Sequence, residues 1–144
     1  MSTRSNILIT NNDTRIWLYR HYDGYLKEAG YNIASCLAQS LDLHKFMEQL
    51  LSQKHEPTMY REARPIYEFT SGMHGDIEYL YTINFYGTRR EGSVRFRVQE
   101  RENFDDVELE TSWKILLDET IKPITAQEVL KKLTLISEAR LKVA

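Results

Sequence analysis

The sequence contains a single cysteine, few prolines and glycines, and no long apolar run. Because Cys36 is the only cysteine among 144 residues, an intramolecular disulfide and a metal site built from several cysteines are both excluded. The apolar run after the polar N-terminus covers only residues 7–9, whereas a helix that spans a bilayer needs about 20 apolar residues. These absences predict a cytoplasmic protein of a reducing compartment, with no leader segment and no membrane partner.

An excess of charge of either sign is also absent. The 19 basic residues stand against 21 acidic ones, and the formal charge of −2 creates no overall field that would attract nucleic acid or an anionic membrane. The sequence also contains no nucleophile elbow, phosphate-binding loop or dinucleotide fingerprint. Its 42% apolar and 28% charged residues are typical of a globular protein. We therefore expect residues 1–144 to form a single domain, and we predict no cofactor and no metal.

Alternating apolar residues predict most of a sheet. Residues 6–10 and 16–20 flank an Asn-Asn-Asp turn, which indicates an N-terminal hairpin. Residues 76–86, 93–101 and 107–116 alternate in the same way, which predicts a three-stranded meander. The sequence thus predicts about five antiparallel strands.

Three segments have the apolar period of helices. The first begins near Asn32, and the second follows Asp42, which can cap its N-terminus. The third follows Pro123, where Thr125 and Glu128 have the spacing of a capping box. The predicted fold class is α+β: an antiparallel sheet of about five strands, made of the hairpin and the meander, with helices packed mainly on one face.

Residues 54–75 have the least regular pattern. This segment holds two prolines, two glycines and many polar residues, although residues 65–69 predict a short edge strand after Pro65. A structureless loop of this length is uncommon in a compact domain. The segment is therefore either a functional excursion or a structure that its pattern does not reveal.

Two short segments near the N-terminus form a signature. Thr-Arg-Ser at residues 3–5 and His-Tyr-Asp-Gly-Tyr at residues 21–25 flank the predicted hairpin. Over roughly the first third of the chain, this arrangement resembles a family of small uncharacterised proteins of bacteriophages and integrated mobile elements. The residues of the motif are Thr3, Arg4, Ser5, His21, Tyr22, Asp23, Gly24 and Tyr25. Tyr22 stands where tryptophan is common in the family. The resemblance implies a phage or prophage origin, and hence the host cell cytoplasm, but it brings no established activity.

His21 and Asp23 are the first candidates for chemistry. They lie between a predicted strand and a predicted helix, where a histidine and a carboxylate two residues apart can share a proton or bind a metal. The structural interpretation of the same residues is a turn, with Asp23 bonded to its own backbone and Gly24 at positive φ. The pattern favours the turn.

Arg4 offers a second hypothesis. Its guanidinium and the neighbouring hydroxyls of Thr3 and Ser5 can bind an anion. Alternatively, a carboxylate fixes the guanidinium, and Asp23 is the expected partner because that ion pair would hold the two signature segments together.

A third candidate is a basic surface on the meander. Arg89 and Arg90 lie at a predicted hairpin tip, and Arg95 and Arg97 share one face of the next strand. Basic groups neutralise phosphates and neighbouring tyrosines stack on bases, so these arginines are candidates for binding nucleic acid. A solvated strand face neutralised by nearby glutamates has the same pattern.

An acidic run completes the candidate features. Asp105, Asp106, Glu108 and Glu110 can meet a basic surface on a partner, or they can protect a strand edge with charge. The interpretation that we carry forward is a non-enzymatic accessory protein that binds a host protein, and such a protein can inhibit a host or defence system. Self-association as a homodimer is also expected. Two alternatives stay open, namely a nucleic-acid-binding module that uses the four arginines and a small hydrolase or metal-dependent enzyme centred on His21 and Asp23.

Overall fold

The computed structural model describes residues 3–12, 14–86, 93–101, 113–121 and 126–143. Six strands and three α-helices lie in this part of the chain. The strands are β1 (Ser5–Asn11), β2 (Thr14–Arg20), β3 (Glu68–Thr70), β4 (Tyr79–Tyr86), β5 (Ser93–Arg101) and β6 (Trp113–Ile121). The helices are α1 (Tyr31–Gln39), α2 (Leu43–Leu51) and α3 (Ala126–Val143), and a π-helical turn at Leu26–Gly30 leads into α1. The predicted α+β class is confirmed.

The strands form one mixed sheet in the order β3-β2-β1-β4-β5-β6. The predicted hairpin is the antiparallel pair β1 and β2, and the predicted meander is β4, β5 and β6. These two units join through β1 and β4, which run parallel. The prediction of a fully antiparallel sheet of about five strands is corrected in this pairing and in the sixth, short strand at the edge. That strand covers 68–70 and not 65–69.

One face of the sheet forms the core with the helices. Alternate residues of β4 are buried, among them Tyr81 and Ile83, which lie beside the buried Ile7 and Ile9 of β1 in the parallel register. Phe46 of α2 packs against Phe85 of the same face, with 5.5 Å between the ring centroids. Because side chains alternate across a strand, the residues between them point to the opposite face. The helices therefore lie mainly on one face, as predicted.

The helix boundaries follow from local chemistry. Asp42 accepts a hydrogen bond at 3.2 Å from the backbone N–H of His44, so it caps α2 as predicted. Helix α1 begins at Tyr31, one residue before the expected start, and ends at Gln39 before the extended Ser40. The predicted cap Thr125 lies outside the described residues.

The third meander strand lies later in the chain than predicted. Strand β6 covers Trp113–Ile121, whereas the pattern favoured 107–116, and residues 107–112 lie outside the described part.

In the described ranges, every helix is too short or too polar to cross a membrane.

Candidate functional site

Residues 53–66, within the segment whose pattern was irregular, form an exposed hairpin loop closed by isolated bridges at Lys54–Pro65 and Thr58–Arg61, which we call the arm. The backbone N–H of Ile66 donates to the carbonyl of Gln53 at 3.0 Å, and that of His55 donates to the carbonyl of Arg64 at 2.8 Å. Thr58 and Arg61 exchange backbone hydrogen bonds of 2.9 and 3.3 Å around the turn. The arm is thus an ordered excursion that leaves α2 and returns to β3.

The turn of the arm presents two large side chains to solvent. Met59 and Tyr60 occupy its two central positions, and each is 90% exposed. Turns of this kind are usually built from Gly, Asn, Asp, Ser or Pro, because those residues suit the backbone and the solvent. Neither Met59 nor Tyr60 has a positive φ, so the backbone accepts both, but two large side chains of this kind are unusual in a solvated turn. We call these two residues the arm tip.

A groove of about 420 Å³ lies between the arm and the end of β2. Its size is in the range of small-ligand and side-chain pockets, about 300–1,000 Å³. Tyr19, His21 and Tyr22 form the wall on the side of the sheet. The remaining lining residues come from the arm and the segment after it: His55, Glu56, Thr58, Arg61, Glu62, Arg64, Pro65, Ile66 and Glu68. Two residues of the N-terminal signature therefore face the arm across this groove.

Aromatic rings form a series along the sheet-side wall of the groove. His74, which is not a lining residue, stacks on Tyr19 with 4.0 Å between the ring centroids. His21 meets Tyr22 edge to face at 4.4 Å, and Tyr22 meets His55 in the same way at 6.1 Å. Tyr22 remains 47% exposed. The rings offer a broad surface that suits an apolar or aromatic side chain.

Tyr19 links this series to the ion pair between Arg4 and Asp76. Its hydroxyl lies 3.3 Å from Oδ2 of Asp76 and 3.4 Å from Nδ1 of His21. Burial and the Asp76 carboxylate raise the pKa of Tyr19. The hydroxyl is therefore protonated at neutral pH and serves as a hydrogen-bond donor.

The groove also carries charges of both signs. Glu56, Glu62 and Glu68 line it together with Arg61 and Arg64. In the described ranges, none of these five side chains forms an ion pair. Among all the residues that the structure describes, no cluster of His, Cys, Asp and Glu has the geometry of a metal site. The charges are therefore free to meet a partner that carries both signs.

The two signature segments lie against each other through their backbones. The N–H of Gly24 donates to the carbonyl of Thr3 at 2.8 Å. A Cβ on Gly24 would lie 2.8 Å from Oγ and 2.9 Å from the backbone N of Ser5, which is closer than packed atoms allow. The hydroxyl of Tyr81 donates to the carbonyl of Gly24 at 2.8 Å. Tyr25 is the N-cap of the π-helical turn that follows. Close backbone approach thus explains the glycine of the motif; the expectation of a positive φ at Gly24 is wrong, since Asp23 has the positive φ instead.

The expected ion pair between Arg4 and Asp23 is wrong. Nη1 of Arg4 donates to Oδ2 of Asp76 at 2.9 Å. Asp23 lies in the corner itself, with a φ of 56°, a left-handed conformation that Asp adopts in turns. No hydrogen bond or ion pair joins Asp23 to His21 in the described part of the chain. The structure thus brings His21 and Tyr22 into the groove and leaves Asp23 in the turn.

The arginines of the meander have a specific partner. Arg95 holds Asp118 of β6 in a two-point contact, through Nε at 2.8 Å and Nη2 at 2.7 Å. Arg97 reaches the same carboxylate through Nη2 at 3.0 Å. The hydrogen bond from Arg95 and, next, those from Arg97 lower the pKa of Asp118 to about 2 despite partial desolvation. In the described ranges, the carboxylate that pairs with both arginines is therefore Asp118.

Other predicted residues fall outside the described ranges. These are Arg89 and Arg90 of the arginine surface and the acidic run of Asp105, Asp106, Glu108 and Glu110.

Sequence reasoning missed the arm and its tip. The signal available was a negative one: Met59-Tyr60 lies between two prolines, in a polar stretch, without the usual turn residues.

Compared with known protein families, with curated proteins and with solved structures, the chain matches none of them. Its function is therefore inferred from the geometry of the described residues.

Proposed function

We propose that this chain is a non-enzymatic accessory protein of a phage or mobile element that binds a host protein through the arm and its groove. The observation that carries the proposal is the arm tip, where Met59 and Tyr60 are each 90% exposed on an ordered hairpin. A large apolar pair held in water by a hydrogen-bonded frame is typical of a contact surface that a partner covers.

The chemistry of the arm matches that of protein interfaces. Tyrosine, methionine and arginine are enriched at the centres of such interfaces, and a few aromatic anchors supply most of the binding energy. Tyr60 and Met59 supply such anchors, and Arg61 follows them directly. The hairpin fixes their positions before binding, which reduces the entropy lost when the complex forms.

The groove supplies a complementary receptor beside these anchors. The partner that fits is a protein loop with one apolar or aromatic side chain, which packs on the ring of Tyr22, flanked by charges of both signs. The carboxylate of Glu68 and the guanidinium of Arg64, which form no ion pair within the described residues, give such a loop an ionic contact at either side.

The two alternatives receive less support from the geometry. One carboxylate, Asp118, already holds both Arg95 and Arg97, so the charge that these arginines offer to a phosphate chain is reduced. A proton relay at residues 21–23 would need contact between His21 and Asp23, and His21 instead contacts Tyr19 and Tyr22.

The test is quantitative affinity capture from host lysate with three forms of the protein. The tip variant carries Met59→Ser and Tyr60→Ser. The matched control carries Leu135→Ser, which changes another exposed apolar side chain, 65% exposed on α3. The proposal expects one host protein to be retained by the wild type and the control after nuclease treatment and to be lost with the tip variant. Equal retention by all three forms would show that the arm tip is not the contact surface.

A further inference from the structure

We propose that, when its protein partner is absent, the arm tip of one copy of this chain occupies the groove of a second copy. The two copies then form a two-fold symmetric dimer whose arms lie side by side and antiparallel. The inference uses the arm of the proposed function, but it concerns the purified protein alone. It therefore stands or falls without any host partner.

The position of the groove makes the exchange geometrically simple. The groove runs along the arm, from His55 and Ile66 at the base to Thr58 and Arg61 beside the tip. Its aromatic wall lies at the base, where the ring centroids of Tyr22 and His55 are 6.1 Å apart. When two such hairpins lie antiparallel, the tip of each comes to the base of the other. A two-fold axis repeats that contact, so each copy gives one tip and receives one.

The tip and the groove have matching chemistry. Tyr60 and Met59 are exposed apolar groups that need cover, and the rings of Tyr19, His21 and Tyr22 supply an aromatic surface. Tyrosine rings pack on one another edge to face or offset, and methionine sulfur packs against ring edges. A volume of about 420 Å³ provides space for the two tip side chains.

The charges of the arm are also self-complementary. Arg61 adjoins the tip, and Glu68 lies beyond the base, in β3. In the described residues neither one has an ion-pair partner within its own chain. In the antiparallel arrangement, the Arg61 of each copy comes near the Glu68 of the other. This pairing favours one register of the two arms over a slipped one.

The area required for a stable dimer is within reach of this contact. Specific interfaces bury roughly 1,200–2,000 Å² in total. Each buried tyrosine contributes about 150–250 Å². Two Tyr60 rings, two Met59 side chains, the groove walls that they cover and the facing flanks of the arms together approach that range. The expected dimer is therefore weak enough for a host partner to displace.

The experiment is sedimentation velocity of the purified full chain over a wide range of protein concentration. The expected result is a concentration-dependent dimer for the wild type and for the Leu135→Ser control. Both the tip variant (Met59→Ser with Tyr60→Ser) and a groove variant (Tyr22→Ala) are expected to stay monomeric at those concentrations. Circular dichroism spectra equal to that of the wild type show that each variant is folded. A wild type that is monomeric at every concentration overturns the proposal, and so does a tip variant that dimerises as the wild type does.

A mixture of the two variants tests the exchange itself. The tip variant retains an intact groove, and the groove variant retains an intact tip, so a mixed dimer recovers one of the two contacts. Fluorescently labelled tip variant is expected to bind the groove variant more tightly than it binds itself, and less tightly than the wild type self-associates. A mixture no more associated than its components would contradict arm exchange. If the wild type forms the dimer but captures no host protein, only the proposed function is refuted.

Discussion

The guanidinium of Arg20 donates a hydrogen bond from Nη1 to the hydroxyl of Tyr67 at 2.8 Å. Arg20 is only 6% exposed, and in the described structure it has no carboxylate partner. Its Nε donates to the carbonyl of Tyr22 at 2.8 Å, and the Tyr67 hydroxyl donates to Oδ1 of Asn32 at 2.7 Å. One buried arginine and one tyrosine thus tie the end of β2, the base of the arm and α1 together.

The first prediction concerns this buried contact. The substitution Tyr67→Phe removes the hydroxyl and leaves Arg20 and Asn32 short of a partner, which costs about 1.5–3 kcal/mol when one member is charged. Burial raises the pKa of Tyr67 to about 12, so the lost group is a neutral hydroxyl at all ordinary pH. Urea unfolding of Tyr67→Phe should show a correspondingly lower free energy of unfolding. The control is Tyr60→Phe, an exposed site expected to change by less than about 0.5 kcal/mol. Equal stability of the two variants would rule out the network as a structural support.

The second prediction concerns the glycine of the signature. In Gly24→Ala the new methyl group would lie 2.8 Å from Oγ of Ser5, and strain of this kind costs about 1–3 kcal/mol. Gly72→Ala is the matched control, because nothing lies within 4 Å of its new methyl. Thermal unfolding should show a clear fall in midpoint for Gly24→Ala alone. Equal unfolding midpoints for Gly24→Ala and Gly72→Ala would contradict the close approach of the two signature segments.

The third prediction is a pH dependence of stability that depends on Asp118. Its carboxyl has a pKa lowered to about 2 in the folded protein, from 3.8. A lowered pKa in the folded state means that the carboxylate stabilises the fold above pH 3.8 and loses this effect as the pH falls toward 2. The wild type should therefore be more stable than Asp118→Asn at pH 5, and the difference should shrink as the pH falls from about 4 to 2. Urea unfolding of both forms along this series measures it. A difference that does not change with pH would exclude the carboxylate as its cause.

The fourth prediction separates protein binding from nucleic-acid binding. Because Asp118 already holds Arg95 and Arg97, the double substitution Arg95→Ala and Arg97→Ala should leave host-protein capture unchanged. Fluorescence anisotropy with labelled DNA, recorded at two salt concentrations, is the second readout. DNA binding that weakens steeply with salt and disappears in the double variant would favour the nucleic-acid alternative instead.

The sequence predicted those parts of the fold that local patterns determine. The alternation in β4 and the cap at Asp42 are local, because each depends on residues within a few positions of one another. The parallel pairing of β1 with β4 is not local. It joins strands that are separated in the chain by two other strands, two α-helices and the arm, and the alternation of each strand would be the same with a different neighbour. The edge strand β3 was predicted at 65–69, but a strand of three residues is too short for its pattern to fix the bounds of 68–70.

The candidate site was predicted only in part for the same reason. His21 and Tyr22 stood out as motif residues, but their position across from the arm depends on how residues 53–66 return to the sheet. Arg4 finds its partner 72 positions along the chain, at Asp76, and no local signal distinguishes that carboxylate from Asp23. Contacts of this separation depend on the complete fold.

The most direct test of the central claim is site-specific photo-crosslinking from the arm tip in host lysate. Tyr60 is replaced by p-benzoylphenylalanine, and the same probe at Leu135 is the control. We predict a cross-linked adduct with a host protein from position 60 and none from position 135, together with a self-adduct from position 60 in the purified protein. Adducts from position 135 with none from position 60 would contradict the assignment of the arm tip as the binding surface.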